Sequence, residues 1–375
     1  MKKFAFLFLM AAVALGFASC KDDKDEPKNE SGEIALGFYI LNQGNMYTKL
    51  PGSISVYDAL SGLNNGENGN AFLEVNGVQI GEEANQMLTI GNRMFITVST
   101  SNIIWAVDPG TMRIIGSIRP TGEATTPRFM AKANGRLYVS MYTGYVCEIN
   151  PLTLEITRTV KVGPNPEQMG VIGNTLVVTN SDGMNYLNNY ADCSLSFVDL
   201  TTFTQTELKD HNVIFNPTKC VSNGTDLFIT CMGNYGNIPA KVLKVTGKTI
   251  DDIQEVCLGT SMDIAGNHLY VINNQASKQF AGPITYKVYD TTTLQEKGDF
   301  IKMTEATDSQ IAYPISAFVN PMNGEIVVLS YKMDGEHAQY TAPGYANLYD
   351  KAGNFQRRIP CGVGPTDVLF VNISY

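Results

Sequence analysis

The chain has 375 residues, 44% of them apolar and 17% charged, with 34 Gly and 16 Pro, so it can bury a large core. Its 27 basic and 36 acidic residues give a net charge of −9, or −11 without Lys2 and Lys3. Nucleic acid and anionic membrane surfaces both demand a basic face, so neither is an expected partner.

The first twenty residues, MKKFAFLFLMAAVALGFASC, place two lysines before an apolar stretch from Phe4 to Phe17 and small residues before a cysteine. That is the layout of a secretory signal, residues 1–19. The stretch is short for a membrane span, which needs about 20 apolar residues. Leu15-Gly16-Phe17-Ala18-Ser19-Cys20 resembles a bacterial lipobox, in which Cys20 becomes the lipidated N-terminus; the alternative is an ordinary signal with a coincidental Cys. Several acyl chains on one cysteine suffice for stable anchoring. Residues 20–35 then read as a flexible tether, because Lys21-Asp22-Asp23-Lys24-Asp25-Glu26-Pro27 holds no apolar side chain that could pack. The run also resembles the acidic export signal of surface-exposed lipoproteins in some Gram-negative anaerobes.

From residue 36 the chain repeats. A unit reads as four short strands, clearest from Thr126 through Val162. The central residue of the second strand recurs at Tyr39, Phe95, Tyr138, Val177, Phe228, Tyr270 and Val327, with spacings of 56, 43, 39, 51, 42 and 57. The shorter spacings fit the 40–50 residue period of propeller blades. The preceding strand recurs as Ala84-Asn85-Gln86-Met87, Thr126-Pro127-Arg128-Phe129, Asn165-Pro166-Glu167-Gln168-Met169, Asn216-Pro217-Thr218-Lys219, Thr260-Ser261-Met262-Asp263 and Tyr313-Pro314-Ile315-Ser316. Its seventh copy, Gly364-Pro365-Thr366-Asp367-Val368, stands at the C-terminus, while the first unit opens directly on a second strand, Gly37 to Leu41. The ends complement each other, so the expected fold is an all-β, seven-bladed β-propeller over residues 36–375, its first blade closed by the C-terminal strand. An eight-bladed ring and a two-sheet sandwich are the alternatives.

Alternate connections in such blades lie on opposite faces. Turns between first and second strands (Ala133-Asn134-Gly135) and between third and fourth (Asp108-Pro109-Gly110) are tight, marking a plain face. Connections between second and third strands are long: Asn42 to Gly52, Asn180 to Asp192, Cys231 to Pro239, Asn273 to Pro283 and Tyr331 to Gly344. They are rich in Asn, Tyr and Gly. Asn and Gly are loop formers in any case, yet Tyr gives contact area at low entropic cost and Asn gives paired donors and acceptors. The long-loop face is therefore the expected binding face.

Gly37-Phe38-Tyr39-Ile40-Leu41-Asn42-Gln43-Gly44-Asn45, Pro166-Glu167-Gln168-Met169 and Val363-Gly364-Pro365-Thr366-Asp367 resemble YncE/YVTN-type propellers carried by surface lipoproteins. Lipobox, acidic tether and seven blades together resemble the BtuG-like corrinoid-binding lipoproteins. That resemblance implies a lipid-anchored outer-membrane protein facing the cell exterior, which captures cobalamin as ligand rather than cofactor. It would pass the corrinoid to a BtuB-type TonB-dependent transporter. Loop position alone selects the contact residues: Asn42, Tyr47, Arg128, Tyr142, Tyr186, Tyr190, Asn234 and Tyr235. A surface propeller binding glycans or proteins is the second reading.

No HExxH, GxSxG, phosphate loop or CxxC is present, so the chain reads as a non-enzyme. His337 with Glu336 and Asp334 is the residual candidate for a propeller lyase or dehydrogenase. Glu82 and Glu83, or Asp182 and Asp192, could coordinate calcium but lack the spacing of a calcium loop, leaving metal open. Cys147, Cys193, Cys220, Cys231, Cys257 and Cys361 could pair in an exported protein, although their places within or beside strands suit buried thiols. Trp105, the sole Trp, is expected to pack between blades.

Overall fold

A computed structural model describes residues 34–58, 64–275, 283–304, 311, 313–335 and 337–373. Among these, seven antiparallel blade sheets follow one another along the chain, and a two-stranded hairpin, Met333–Asp334 with His337–Ala338, is inserted in the last. Their innermost strands are Pro365–Ile373 in blade 1, Ala84–Ile90 in blade 2, Pro127–Ala133 in blade 3 and Pro166–Ile172 in blade 4. Pro217–Ser222, Ser261–Ala265 and Tyr313–Val319 serve blades 5, 6 and 7. The C-terminal strand pairs with Ile34–Asn42, Tyr39 lying opposite Leu369 and Ile40 opposite Val368, so blade 1 is closed by the two ends of the chain. Both the seven blades and the closing strand are as the repeat predicts.

Each gap between neighbouring blades holds its own apolar layer, and alternation along the strands supplies it. In the second strand of blade 2, Phe95 packs with Met130 and Val139 of blade 3, whereas Met94 and Ile96 pack with Leu41 and Ile54 of blade 1. Every recurring central residue faces the following blade in this way, from Tyr39 through Tyr138, Val177, Phe228 and Tyr270 to Val327, which meets Ile40 and Val368 across the seam. The repeat visible in the sequence is thus a packing repeat: one apolar side chain per blade fills the wedge to the next.

The plain face is built from two recurrent turns. Asn134 and Gly135 both take positive φ, 51° and 69°, the conformation a two-residue hairpin needs to match strand twist. At the ends of third strands, an Asp or Asn accepts from backbone amides two or three residues on. Examples are Thr111 N–H to Asp108 Oδ1 (2.8 Å), Leu152 N–H to Asn150 Oδ1 (2.9 Å) and Thr293 N–H to Asp290 Oδ1 (2.8 Å).

Blade 1 departs from the four-strand expectation. Its sheet has three strands, and a short helix, Ala71–Asn76, lies beyond Ser53–Asp58. Turn formers dominate Asn64-Asn65-Gly66 and Gly69-Asn70, and the Asn70 side chain caps the helix by accepting from Leu73 N–H at 3.2 Å. Phe72, fully buried, meets Trp105 of blade 2 at 5.4 Å between ring centroids, and the Trp105 indole donates to Ile80 O at 2.7 Å. Trp105 therefore packs at a blade interface, as expected. No helix among the described residues is long and apolar enough to cross a membrane. The signal segment, Cys20 and the tether up to residue 33 lie outside the described residues, and residues 34 and 35, expected in the tether, belong to the strand Ile34–Asn42.

Candidate functional site

The innermost strands of all seven blades line an axial cavity of about 680 Å³. Several of these strands carry irregular register near their start, between Ala84 and Gln86, Pro127 and Met130, Pro166 and Met169, Pro217 and Lys219, and Pro314 and Ser316. Such irregularity releases backbone donors from the ladder. Side chains of the neighbouring blade receive them: Met87 N–H donates to Asp367 Oδ2 (2.7 Å), Met130 N–H to Gln86 Oε1 (2.6 Å) and Cys220 N–H to Gln168 Oε1 (3.1 Å). Val319 N–H donates to Asp263 Oδ2 (2.7 Å). A belt of polar side chains thereby ties inner strand to inner strand around the axis.

Towards the long-loop face the cavity meets an ion triad. Arg128 donates from Nη1 to Glu83 Oε1 (2.7 Å) and from Nε to Glu167 Oε2 (2.9 Å), and its guanidinium lies 4.8 Å from the Tyr142 ring centroid. Burial works against the Arg128 charge, but Glu167 and Glu83 outweigh it and raise its pKa. Burial, reinforced by Glu167, pushes the Tyr142 hydroxyl up to about 12, so it stays a neutral donor.

Beside the triad a hollow of about 370 Å³ is lined by Glu167, Ser181, Tyr186, Tyr190, Asn216 and Tyr235, with Thr218 and Gly183 completing it. Glu167, Thr218 and Tyr235 also line the axial cavity, so the two spaces adjoin. Tyr190 is 7% exposed and packs edge-on against Phe215 at 5.6 Å, whereas Tyr186 is 61% exposed. Blades 2 to 5 all enter their innermost strands through a left-handed residue: Glu83, Thr126, Asn165 and Asn216 have φ of 65°, 63°, 47° and 52°. Tyr190 and Tyr235 share that conformation at 54° and 55°. Non-glycine residues held there store strain, and such residues cluster at binding sites.

Of the eight residues singled out by loop position, five come together here: Arg128, Tyr142, Tyr186, Tyr190 and Tyr235. Asn234 supports them, its Oδ1 accepting from Gly236 N–H (3.0 Å) and Ile238 N–H (2.9 Å) to shape the loop that carries Tyr235. Tyr47 stands apart on a blade 1 loop tip, 89% exposed, and lines neither space. Asn42 lies beneath the face, fully buried, donating to Ser53 Oγ (3.0 Å) and Ser55 Oγ (2.9 Å). Asn180 repeats this in blade 4 with Ser194 and Ser196, both at 3.0 Å, so the position joins second strand to third.

Apart from Arg128, loop reasoning passed over the residues on the inner strands themselves. Glu167, Asn216 and Thr218 sit in the recurring segments that open those strands, and the recurrence was their only signal. It also passed over Tyr313, Tyr331 and Tyr340 of blade 7. Tyr331 and Tyr340 meet edge-on at 4.9 Å, and Tyr313 lines the axial cavity.

The catalytic candidates do not assemble. His337 faces Asp334 across a two-residue hairpin on the surface, and Glu336 lies outside the described residues. His211 Nδ1 is 3.6 Å from Cys193 Sγ, but that thiol is buried, donates to Ile214 O at 3.2 Å and has its pKa pushed up by burial. Asp182 is spent inside its loop, accepting from Asn185 Nδ2 (3.0 Å) and Asp192 N–H (2.9 Å). Among the described residues no group of three or more His, Cys, Asp or Glu could hold a metal ion. All six described cysteines are free, five of them buried.

No protein-family model and no curated protein matches the sequence. The fold is similar to that of a hydrazine synthase chain from Kuenenia stuttgartiensis, with a TM-score of 0.55, 13% identity and cover of 74% of this chain and 86% of that one. It is also similar to a chain of a mitotic checkpoint complex, with a TM-score of 0.53, 11% identity and cover of 93% and 89%. At these identities the likeness is one of fold alone: a β-propeller, a scaffold that hosts many unrelated activities.

Proposed function

We propose that the protein is a surface lipoprotein that captures a corrinoid such as cobalamin on its long-loop face and delivers it to a BtuB-type TonB-dependent transporter. The observation that carries this reading is the convergence of Tyr186, Tyr190 and Tyr235 with Asn216 and Glu167 around one hollow that adjoins the axial cavity, with Tyr142 against Arg128 beside it. Tyrosine rings offer broad apolar faces to a macrocycle, and the amide and carboxylate suit its peripheral carboxamides. The lipobox ending at Cys20 and the acidic run Lys21 to Glu26 support anchoring at the outer membrane. Strand Ile34–Asn42 begins at the plain face and ends at the long loops. Resemblance to BtuG-like lipoproteins supplies the ligand class.

The test is direct. Residues 33–375, mixed with cobalamin and desalted, should stay red. A colourless protein fraction would remove the corrinoid from this account, and retention on a glycan array would then favour the second reading.

A further inference from the structure

Deep in the axial cavity, Lys219 of blade 5 reaches across to blades 6 and 7. Its Nζ donates to Ser261 Oγ at 2.8 Å and to Ser316 Oγ, and Ser261 Oγ–H donates to Ser316 Oγ at 3.2 Å. Both serines are buried. An ammonium has three protons, and only two are used; among the described residues Lys219 has no further hydrogen-bond partner and no ion-pair partner. The Ser316 oxygen accepts twice, so its own proton must go elsewhere. The cluster thus turns two unused donors, one of them cationic, towards a space that Lys219 and Ser316 both line.

The carboxylates nearest to this cluster do not complete it. Asp263 accepts from Val319 N–H (2.7 Å) and Ile264 N–H (2.8 Å), and Asp367 from Met87 N–H (2.7 Å), so both are tied to the backbone belt. Burial pushes their carboxyls up to about 6 and about 7, so near neutrality Asp367 is partly neutral while Asp263 stays mostly ionised. Lys219, lowered by burial to about 8, remains mostly protonated there.

We propose that the floor of the axial cavity is an oxyanion site, in which Lys219 Nζ and Ser316 Oγ receive a carboxylate or phosphate group of a small ligand. A charge-assisted pair of donors in a concave site is the arrangement that recognises such groups. The site lies below the tyrosines and does not depend on which ligand the mouth takes.

Purified protein in a buffer free of other oxyanions is titrated calorimetrically with acetate and, separately, with inorganic phosphate. Saturable binding of one equivalent is expected; preference for acetate assigns a carboxylate and preference for phosphate a phosphate group. Lys219→Met should abolish the heat. Ser316→Ala should weaken binding about tenfold, the equivalent of one charge-assisted hydrogen bond. Lys351→Ala, on the plain face, should change nothing. If Lys219→Met fails to fold, Ser316→Ala decides the matter. Absence of saturable binding of either anion by the wild type, or undiminished binding by the folded variants, would overturn the site.

Discussion

Met87 N–H donates to Asp367 Oδ2 at 2.7 Å, and that bond fastens the last strand of the chain to the first strand of the next blade. Asp367 opens the segment Val368-Leu369-Phe370-Val371, whose side chains alternate between two apolar layers. Val368 and Phe370 face the layer shared with blade 7, Leu369 and Val371 the layer shared with blade 2. The closing strand is therefore a wedge in two interfaces at once.

Truncation after Cys361 removes that wedge. Val368 is buried and Leu369, Phe370 and Val371 are half-buried; at about 1.5–3 kcal/mol for full burial of such a side chain, the four together still represent several kcal/mol, a large share of a domain's stability of about 5–15 kcal/mol. The truncated chain should aggregate or melt without cooperativity in scanning calorimetry. A cooperative transition within a few degrees of the full chain would show that the seam holds by other means.

The belt predicts an unusual pH dependence. Asp263 and Asp367 are raised by burial from the normal 3.8 to about 6 and about 7. Between roughly pH 4 and 7 the folded protein then binds more protons than the unfolded chain, so these groups contribute stability at low pH that is lost as pH rises through the folded values. Lys219, lowered to about 8, acts in the opposite sense: between about 8 and 10.5 its contribution rises with pH. The trio should place a minimum in its share of stability near pH 7–8. Asp263→Asn with Asp367→Asn keeps one acceptor oxygen at each position, enough for the cross-blade donors Val319 N–H and Met87 N–H though not for Ile264 N–H, and urea midpoints should lose most of the fall between pH 5 and 7. An unaltered slope would mean that these carboxyls titrate normally.

Arg128 should matter for stability as well as for the site. Removing it leaves Glu83 and Glu167 facing each other without a cation, and breaking a mostly buried ion pair costs about 3–5 kcal/mol. Arg128→Ala is expected near the lower end, because both carboxylates retain some contact with solvent. Denaturant midpoints read the loss; a change below 1 kcal/mol would show the triad to be well solvated.

Anchoring is tested by Cys20→Ala, which should move the protein from the membrane fraction to the soluble one. Neutralising Asp22, Asp23, Asp25 and Glu26 should leave the anchor intact and reduce cleavage by protease added to whole cells. Membrane retention of the cysteine variant at wild-type level would contradict the anchor, and unchanged cleavage would make the acidic run a plain linker.

The blade count, the seam and the two faces were legible in the sequence because each rests on a local device that recurs. Tyr39, Phe95, Tyr138 and their successors each fill the gap to the next blade, and Asn134-Gly135 or Asp108 dictates its turn with little help from elsewhere. The helix Ala71–Asn76 was not legible, since blade 1 alone replaces its outer strand and no repeat marks the exception. Tyr186, Tyr190 and Tyr235 were reachable because long loops carry them to one side, whereas Arg128 lies on an innermost strand and Tyr142 in a short turn. Glu167, Lys219 and Ser316 were not, because their roles arise only when strands 39 to 97 residues apart converge on the axis, which composition and spacing do not encode. Asn42 shows the converse error: a loop-edge asparagine that serves the strand beneath.

The most direct test of ligand capture is calorimetric titration of cobalamin into residues 33–375 and into the Tyr186→Ala, Tyr190→Ala, Tyr235→Ala variant. Truncating a buried aromatic anchor costs about 2 kcal/mol or more, some thirtyfold in affinity. The account predicts saturable binding by the wild type, loss of most affinity in the folded triple variant, and no change for Lys248→Ala on the plain face. Equal affinity with all three tyrosines removed would contradict the site, and a wild type that binds no corrinoid would contradict the ligand.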